Sequence, residues 1–138
     1  MREAPDATDA LVLKGFIQAG KGELTQAFQT GCRVLELDDL IPDAYFLKGL
    51  ILDAGDRLPE AADEYRKALL LEHGFIMPRY HMGRLHLRLG RATEAAREIR
   101  NSIRLLARCD DHAVVPYSGG LTPAVCMLQL QNALAQVA

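Results

Sequence analysis

Four histidines, three cysteines and 18 carboxylate side chains are the groups in this chain that could carry chemistry. Their spacing assembles no reactive constellation. His81 and His86 stand five positions apart, about 140° around a helix, so they cannot close on one metal as an i, i+4 pair would. Cys109-Asp110-Asp111-His112 puts ligand types in a row, yet a tetrahedral site needs a second cluster and the chain offers none. Cys32, Cys109 and Cys126 are odd in number and widely separated. That usage suits reduced, mostly buried thiols in a cytoplasmic protein. The acid pairs Asp38-Asp39, Asp63-Glu64 and Asp110-Asp111 suit helix starts and solvated faces. No glycine-rich loop follows a strand pattern, and no G-x-S-x-G occurs. The chain is expected to catalyse nothing and to hold no metal.

The glycines have another use. Gly15, Gly49 and Gly83 are spaced by 34 residues, and so are Ala27, Ala61 and Ala95. Leu35, Leu69 and Ile103 keep the same interval, as do Leu37, Leu71 and Leu105. The stretch from Pro42 to Phe75 shows the unit most clearly: two apolar helical segments broken at Gly55-Asp56-Arg57, with small residues (Gly49, Ala61, Ala68) where the helices must touch. A helix–turn–helix unit repeated every ~34 residues is the signature of a tetratricopeptide (TPR) array. The expected fold is therefore all-α: a TPR α-solenoid of three repeats plus a C-terminal capping helix. Residues 1–6 are a lead-in, 7–41 the first repeat, 42–75 the second and 76–108 the third. A loop over 109–121 and the capping helix over 122–138 complete one domain.

Local signals agree with this division. Gly20-Lys21-Gly22 and Leu89-Gly90-Arg91 break the first and third repeats as Gly55-Asp56-Arg57 breaks the second. Pro42 and Pro59 sit where a helix begins and a missing N–H does no harm. Gly31, inside a helix, costs about 1 kcal/mol relative to alanine and calls for a close helix–helix approach. Thr122-Pro123 is a helix start, hydroxyl cap followed by proline. The helix it opens presents Val125, Leu128, Leu130, Leu134 and Val137, the side chains of a lid over the raw end of a stack. No window approaches 18 consecutive apolar residues, so no membrane insertion is expected, and Met1 to Asp6 lacks the apolar core of a signal peptide.

In a TPR array the first helix of each repeat lines a groove. Helical phase puts Val12 and Phe16, then Phe46, Leu50 and Asp53, then Tyr80, Arg84, Leu87 and Arg88 on that groove. Such a floor, apolar with basic residues toward its C-terminal end, fits the apolar face of a partner helix. It lacks the lysines and asparagines with which other TPR domains clamp acidic chaperone tails. Charge is uneven: Met1–Pro78 carries 14 acidic and 8 basic residues, whereas Arg79–Arg108 has eight arginines against Glu94 and Glu98. An acidic protein partner is consistent with that field. Nucleic acid is not, because net charge is −2 and no aromatics interleave the arginines. A stand-alone TPR scaffold or self-association module is the alternative reading, and the chain is expected to be a monomer or weak dimer.

Asp43-Ala44-Tyr45-Phe46-Leu47-Lys48-Gly49-Leu50-Ile51, Asn101-Ser102-Ile103-Arg104-Leu105-Leu106 and Ser118-Gly119-Gly120-Leu121-Thr122 resemble the C-terminal TPR region of CheR-type chemoreceptor glutamate methyltransferases. The resemblance spans residues 10–135. It implies a non-catalytic interaction domain that binds a chemoreceptor cytoplasmic helix or its own methyltransferase domain. S-adenosylmethionine is then expected only in an absent catalytic domain, since no residue here matches that part of the family.

Overall fold

The computed structural model describes residues 7–136. Among them are seven helices and no strand. They fall into two compact units, one ending at His73 and one beginning at Gly74. The first holds α1 (Ala7–Gly20), α2 (Leu24–Leu37), α3 (Pro42–Ala54) and α4 (Leu58–Leu71); the second holds α5 (Ile76–Arg88), α6 (Ala92–Leu106) and α7 (Pro123–Ala135). Helices α1 and α2, α3 and α4, and α5 and α6 form hairpins; α2 also packs on α3, and α6 on α7.

The 34-residue interval is a backbone repeat as well as a pattern of side chains. Each hairpin turns through one left-handed residue, Gly22 (φ 82°), Asp56 (φ 62°) and Gly90 (φ 74°). The next residue, Glu23, Arg57 or Arg91, donates its N–H at 2.9 Å to a carbonyl five positions back, on Gln18, Leu52 and His86 respectively. That bond closes the preceding helix as a Schellman-type cap does. The same residue then opens the following helix by accepting from the N–H of Ala27, Ala61 or Ala95 at 2.9, 3.0 and 2.9 Å. All three alanines are fully buried. None of the three helices has a side-chain cap bond; backbone geometry does that work.

The glycine column is where the two helices of a hairpin touch. A Cβ at Gly49 would lie 2.5 Å from the Tyr65 ring, and one at Gly83 2.9 Å from Ile99 Cγ1. Tyr65 and Ile99 are in register, and the equivalent position in the first repeat is Gly31. The space that a large residue at 31 would fill is taken from elsewhere. Leu47 of α3 puts Cδ2 2.5 Å from the Cβ position of Gly15 and 3.6 Å from that of Gly31. Gly31 thus allows the close approach its sequence context called for, and the leucine that enters belongs to the next hairpin.

After α6 the repeat ends. Residues 107–122 form an irregular but well-bonded connection. Leu121 donates its N–H to Ser118 Oγ at 2.9 Å, and Val115 donates to the Leu121 carbonyl at 2.9 Å. Gly119 (φ 76°) and Gly120 (φ 89°) take left-handed conformations, as does Tyr117 (φ 64°), whose ring rests 5.8 Å from that of Phe75. Helix α7 buries the stripe Pro123, Cys126 and Leu130. It covers α6 as a lid should, but the outer stripe expected to share that task is exposed: Val125 is 40% and Leu128 57% accessible. Val137 lies outside the described residues.

Candidate protein-binding site

In the first unit the expected groove residues are drawn into the packing between helices. Val12 lies against the cluster of Val34, Ile41 and Ala44, and Phe16 against Ala27, Leu47 and Ile51. Phe46 is fully buried. Its ring centre is 6.0 Å from that of Phe16 and 6.1 Å from that of Tyr65, tilted contacts of the favourable kind. Phe46 therefore offers nothing to a partner. The cause is that α3 touches α1, α2 and α4, so its apolar residues are claimed on three sides and phase along one helix cannot tell groove from core. Leu50 and Asp53 are half-buried.

Asp53 accepts a 3.0 Å hydrogen bond from the Tyr65 hydroxyl. Burial, with the charge of Asp53 and this bond behind it, raises the phenol far above its ordinary value, so Tyr65 stays neutral as a pillar of the second hairpin. Beside it Lys48 Nζ sits 3.0 Å from Glu64 Oε1, with Lys67 3.3 Å from Oε2. In the third repeat Glu98 takes the register position of Glu64 and pairs with Arg79 at 3.6 Å and Arg97 at 3.9 Å. Both glutamates and Arg79 are buried. Desolvation offsets much of the attraction in such pairs, so they add little net stability. Arg79 is thereby removed from the surface on which the sequence counted it.

In the second unit three of the four expected residues come together. Arg84, Leu87 and Arg88 of α5 line a cavity of about 460 Å³ with Gln129, Asn132, Ala133 and Gln136. The fourth, Tyr80, is 6% accessible and forms the joint beneath it. Its hydroxyl donates to Gln129 Oε1 on α7 and accepts from Arg84 Nη1 at 3.3 Å. The Arg84 guanidinium lies 5.8 Å from the Tyr80 ring centre, within cation–π range. The Tyr80 ring and hydroxyl thus orient the guanidinium. The amides of α7 were not anticipated. The sequence marks that helix as a lid, and only its placement against α5 shows that its polar side walls a cavity.

The reactive groups stay apart. His86 is buried, and His81 packs edge-on to Tyr80 with ring centres 5.4 Å apart. Asp110 accepts the N–H of His112 at 2.9 Å, a local turn. Cys126 is buried, and desolvation with neighbouring Cys109 raises its thiol. Among the described residues no three His, Cys, Asp or Glu are grouped to hold a metal ion. No helix there is long and apolar enough to cross a membrane.

No protein-family model and no curated protein matches the sequence. Solved structures do match the fold. SycD, the type III secretion translocator chaperone of Yersinia enterocolitica, superposes with a TM-score of 0.82 over 99% of this chain and 86% of its own, at 15% identity. PcrH from Pseudomonas aeruginosa gives 0.80 over 99% and 95%, at 18% identity. SycD has been solved with a peptide of the translocator YopD (0.82, 14% identity, 99% and 96% covered). PcrH has been solved with the chaperone binding region of PopD (0.80, 17% identity, 97% and 92% covered). These likenesses overturn the resemblance to a chemoreceptor methyltransferase, and the chemotaxis and methylation context goes with it. The Ser118–Thr122 motif behind that resemblance is local turn chemistry: a serine that caps Leu121, two left-handed glycines and a threonine that opens α7 with its carbonyl, accepting from Cys126 N–H at 3.1 Å, and not with the expected hydroxyl cap. At these identities the likenesses establish the fold, and the fold is the all-helical, TPR-like one.

Proposed function

We propose that this chain is a non-enzymatic protein-binding module that holds an extended or helical segment of another polypeptide, in the manner of a secretion chaperone. The observation that carries the reading is the whole-chain likeness to chaperones solved with a partner's segment in place. The rest of the molecule is consistent with it. Within each unit the helical hairpins are built on backbone-capped turns, and exposed side chains are left for recognition. Such a module needs no cofactor.

Selection of a random 12-residue peptide library against the purified chain tests this. The expected result is a converging set of binders whose affinity falls at least about tenfold, or ~1.4 kcal/mol, in Leu50→Glu or Leu87→Glu. No convergence, or binders indifferent to both substitutions, overturns the proposal.

One observation favours self-association as a second role. Leu13 and Ile17 are 63% and 49% accessible, one turn apart on α1, and form an apolar stripe on a terminal hairpin. Sedimentation velocity across a concentration series is expected to show a dimer that Leu13→Glu/Ile17→Glu removes. A monomer at every concentration ends that reading.

A further inference from the structure

We infer that the cavity between α5 and α7 is a carboxylate-selecting subsite, specific for an acidic stretch of the bound polypeptide. The inference rests on the protein-binding reading above and adds the chemistry of the ligand. Three observations carry it.

The first is the charge of the walls. Arg84 and Arg88 are exposed and one helical turn apart, and both line the cavity. Neither α5 nor α7 contains an aspartate or glutamate. Among the described residues the cavity lining thus holds two guanidinium groups and no carboxylate; Arg88 has an interaction of its own, and a fork with five N–H donors can still pair with a ligand carboxylate. The second is orientation. Tyr80 receives Arg84 on its hydroxyl and ring while giving its own proton to Gln129. This chain ties α5 to α7 and leaves less side-chain entropy to lose when a ligand arrives. The third is the remainder of the lining. Gln129, Asn132 and Gln136 can bond the peptide groups of an extended chain, while Leu87 and Ala133 provide a short apolar strip. At about 460 Å³ the cavity falls within the ~300–1,000 Å³ of ordinary ligand sites.

The ligand is a peptide rather than a nucleic acid. Single strands are held by exposed aromatic platforms beside the basic groups, and the aromatic ring at this cavity, Tyr80, is buried beneath Arg84. A second cavity of the unit sits between α6 and α7, with Ala92, Ala96, Leu134 and Ala135 among its lining and Arg100 as the charged residue there. It has no basis for the same selection.

Fluorescence anisotropy decides the matter with three labelled probes: a 12-residue Glu/Leu peptide, its Gln/Leu counterpart and a 12-nucleotide oligo-dT. The Glu/Leu peptide is expected to bind the wild-type chain about tenfold more tightly than the Gln/Leu peptide at ~50 mM salt. The advantage shrinks toward parity at ~0.5 M salt. Arg84→Gln/Arg88→Gln is expected to remove the advantage, while Arg97→Gln/Arg100→Gln on α6 keeps it. Both pairs are exposed, and thermal melts of the variants check that each folds. Equal binding of the two peptides, an unaffected Arg84/Arg88 variant, or oligo-dT binding as tightly as the acidic peptide each overturns the inference. Equal and tight binding of both peptides removes the acidic selection alone. Failure of both peptides together with failure of the library selection removes the protein-binding reading itself.

Discussion

At Gly49 the side chain that is missing has been replaced by a tyrosine ring from the facing helix, and the neighbouring repeats solve the same contact with smaller or softer groups. Substitutions to alanine should therefore differ in cost although the three glycines share a column. In Gly49→Ala the new methyl meets the fully buried Tyr65 ring, pinned at its hydroxyl by Asp53, and a loss of about 2–3 kcal/mol is expected from overpacking. Gly83→Ala presses on Ile99 at 2.9 Å and should cost about 1 kcal/mol. Gly15→Ala meets Cδ2 of the fully buried Leu47 at 2.5 Å and should cost about 1–2 kcal/mol, between the other two, since an aliphatic tip yields more readily than a ring held at its hydroxyl. Urea denaturation of the three variants gives the order. Tyr65 makes a second prediction. Its folded-state pKa is raised, so the folded chain keeps a proton that the unfolded chain surrenders from about pH 10 upward. The stability Tyr65 contributes is complete below that pH and is lost above it, by about 1.4 kcal/mol per pH unit. The gap in stability between wild type and Tyr65→Phe is expected to narrow between about pH 10 and 11. A constant gap would mean the phenol ionises freely in the folded protein.

The turns between paired helices show what a single sequence discloses at the level of elements and what it withholds. The alanine column at 27, 61 and 95 and the glycine column at 15, 49 and 83 announced the repeat because each is held by close packing that recurs, whereas the leucine column at 37 and 71 kept the interval although both side chains are exposed. The left-handed column at 22, 56 and 90 was hidden, since Asp56 stands between two glycines and breaks the pattern by residue type while keeping it in geometry. A left-handed residue with a Cβ costs ~1–2 kcal/mol, less for aspartate. Asp56→Gly is accordingly expected to stabilise the chain by about 0.5 kcal/mol, read as a shift of the denaturation midpoint without change of slope. Part of the cost is already offset, because Asp56 has an interaction of its own. The candidate site was legible to a similar degree. Arg84, Leu87 and Arg88 followed from phase along α5, a helix with one free side. Phe46 misled because α3 is packed against α1, α2 and α4 and leaves only half-buried positions such as Leu50 open, and the amides of α7 were invisible because nothing in a sequence says which earlier helix a later one will lie against.

On the scale of the whole chain, the resemblance to a methyltransferase region failed for a reason that is itself physical. A turn motif is selected by the bond it closes, so unrelated helical arrays converge on it, whereas the course of the backbone over 99% of the chain does not arise from one turn. Stability is also spread unevenly. Helix α1 buries only Thr8 and Gly15 among its residues, against seven residues in α4. Hydrogen exchange is expected to label α1 well before α4, because local opening follows buried contact. Protection of α1 equal to that of α4 would contradict this.

Leu47 reaches across a repeat boundary. It occupies, from α3, room that Gly31 leaves open beneath α1 and α2, so the volumes at 31 and 47 are one quantity shared across a repeat boundary. The opening hairpin is therefore no free-standing module to be transplanted, duplicated or trimmed. Cut after Leu37 it keeps a hole where Leu47 and the stem of Lys48 had packed, and a tyrosine placed at 31, as at 65, would fit only if both 47 and 48 gave way in the same step.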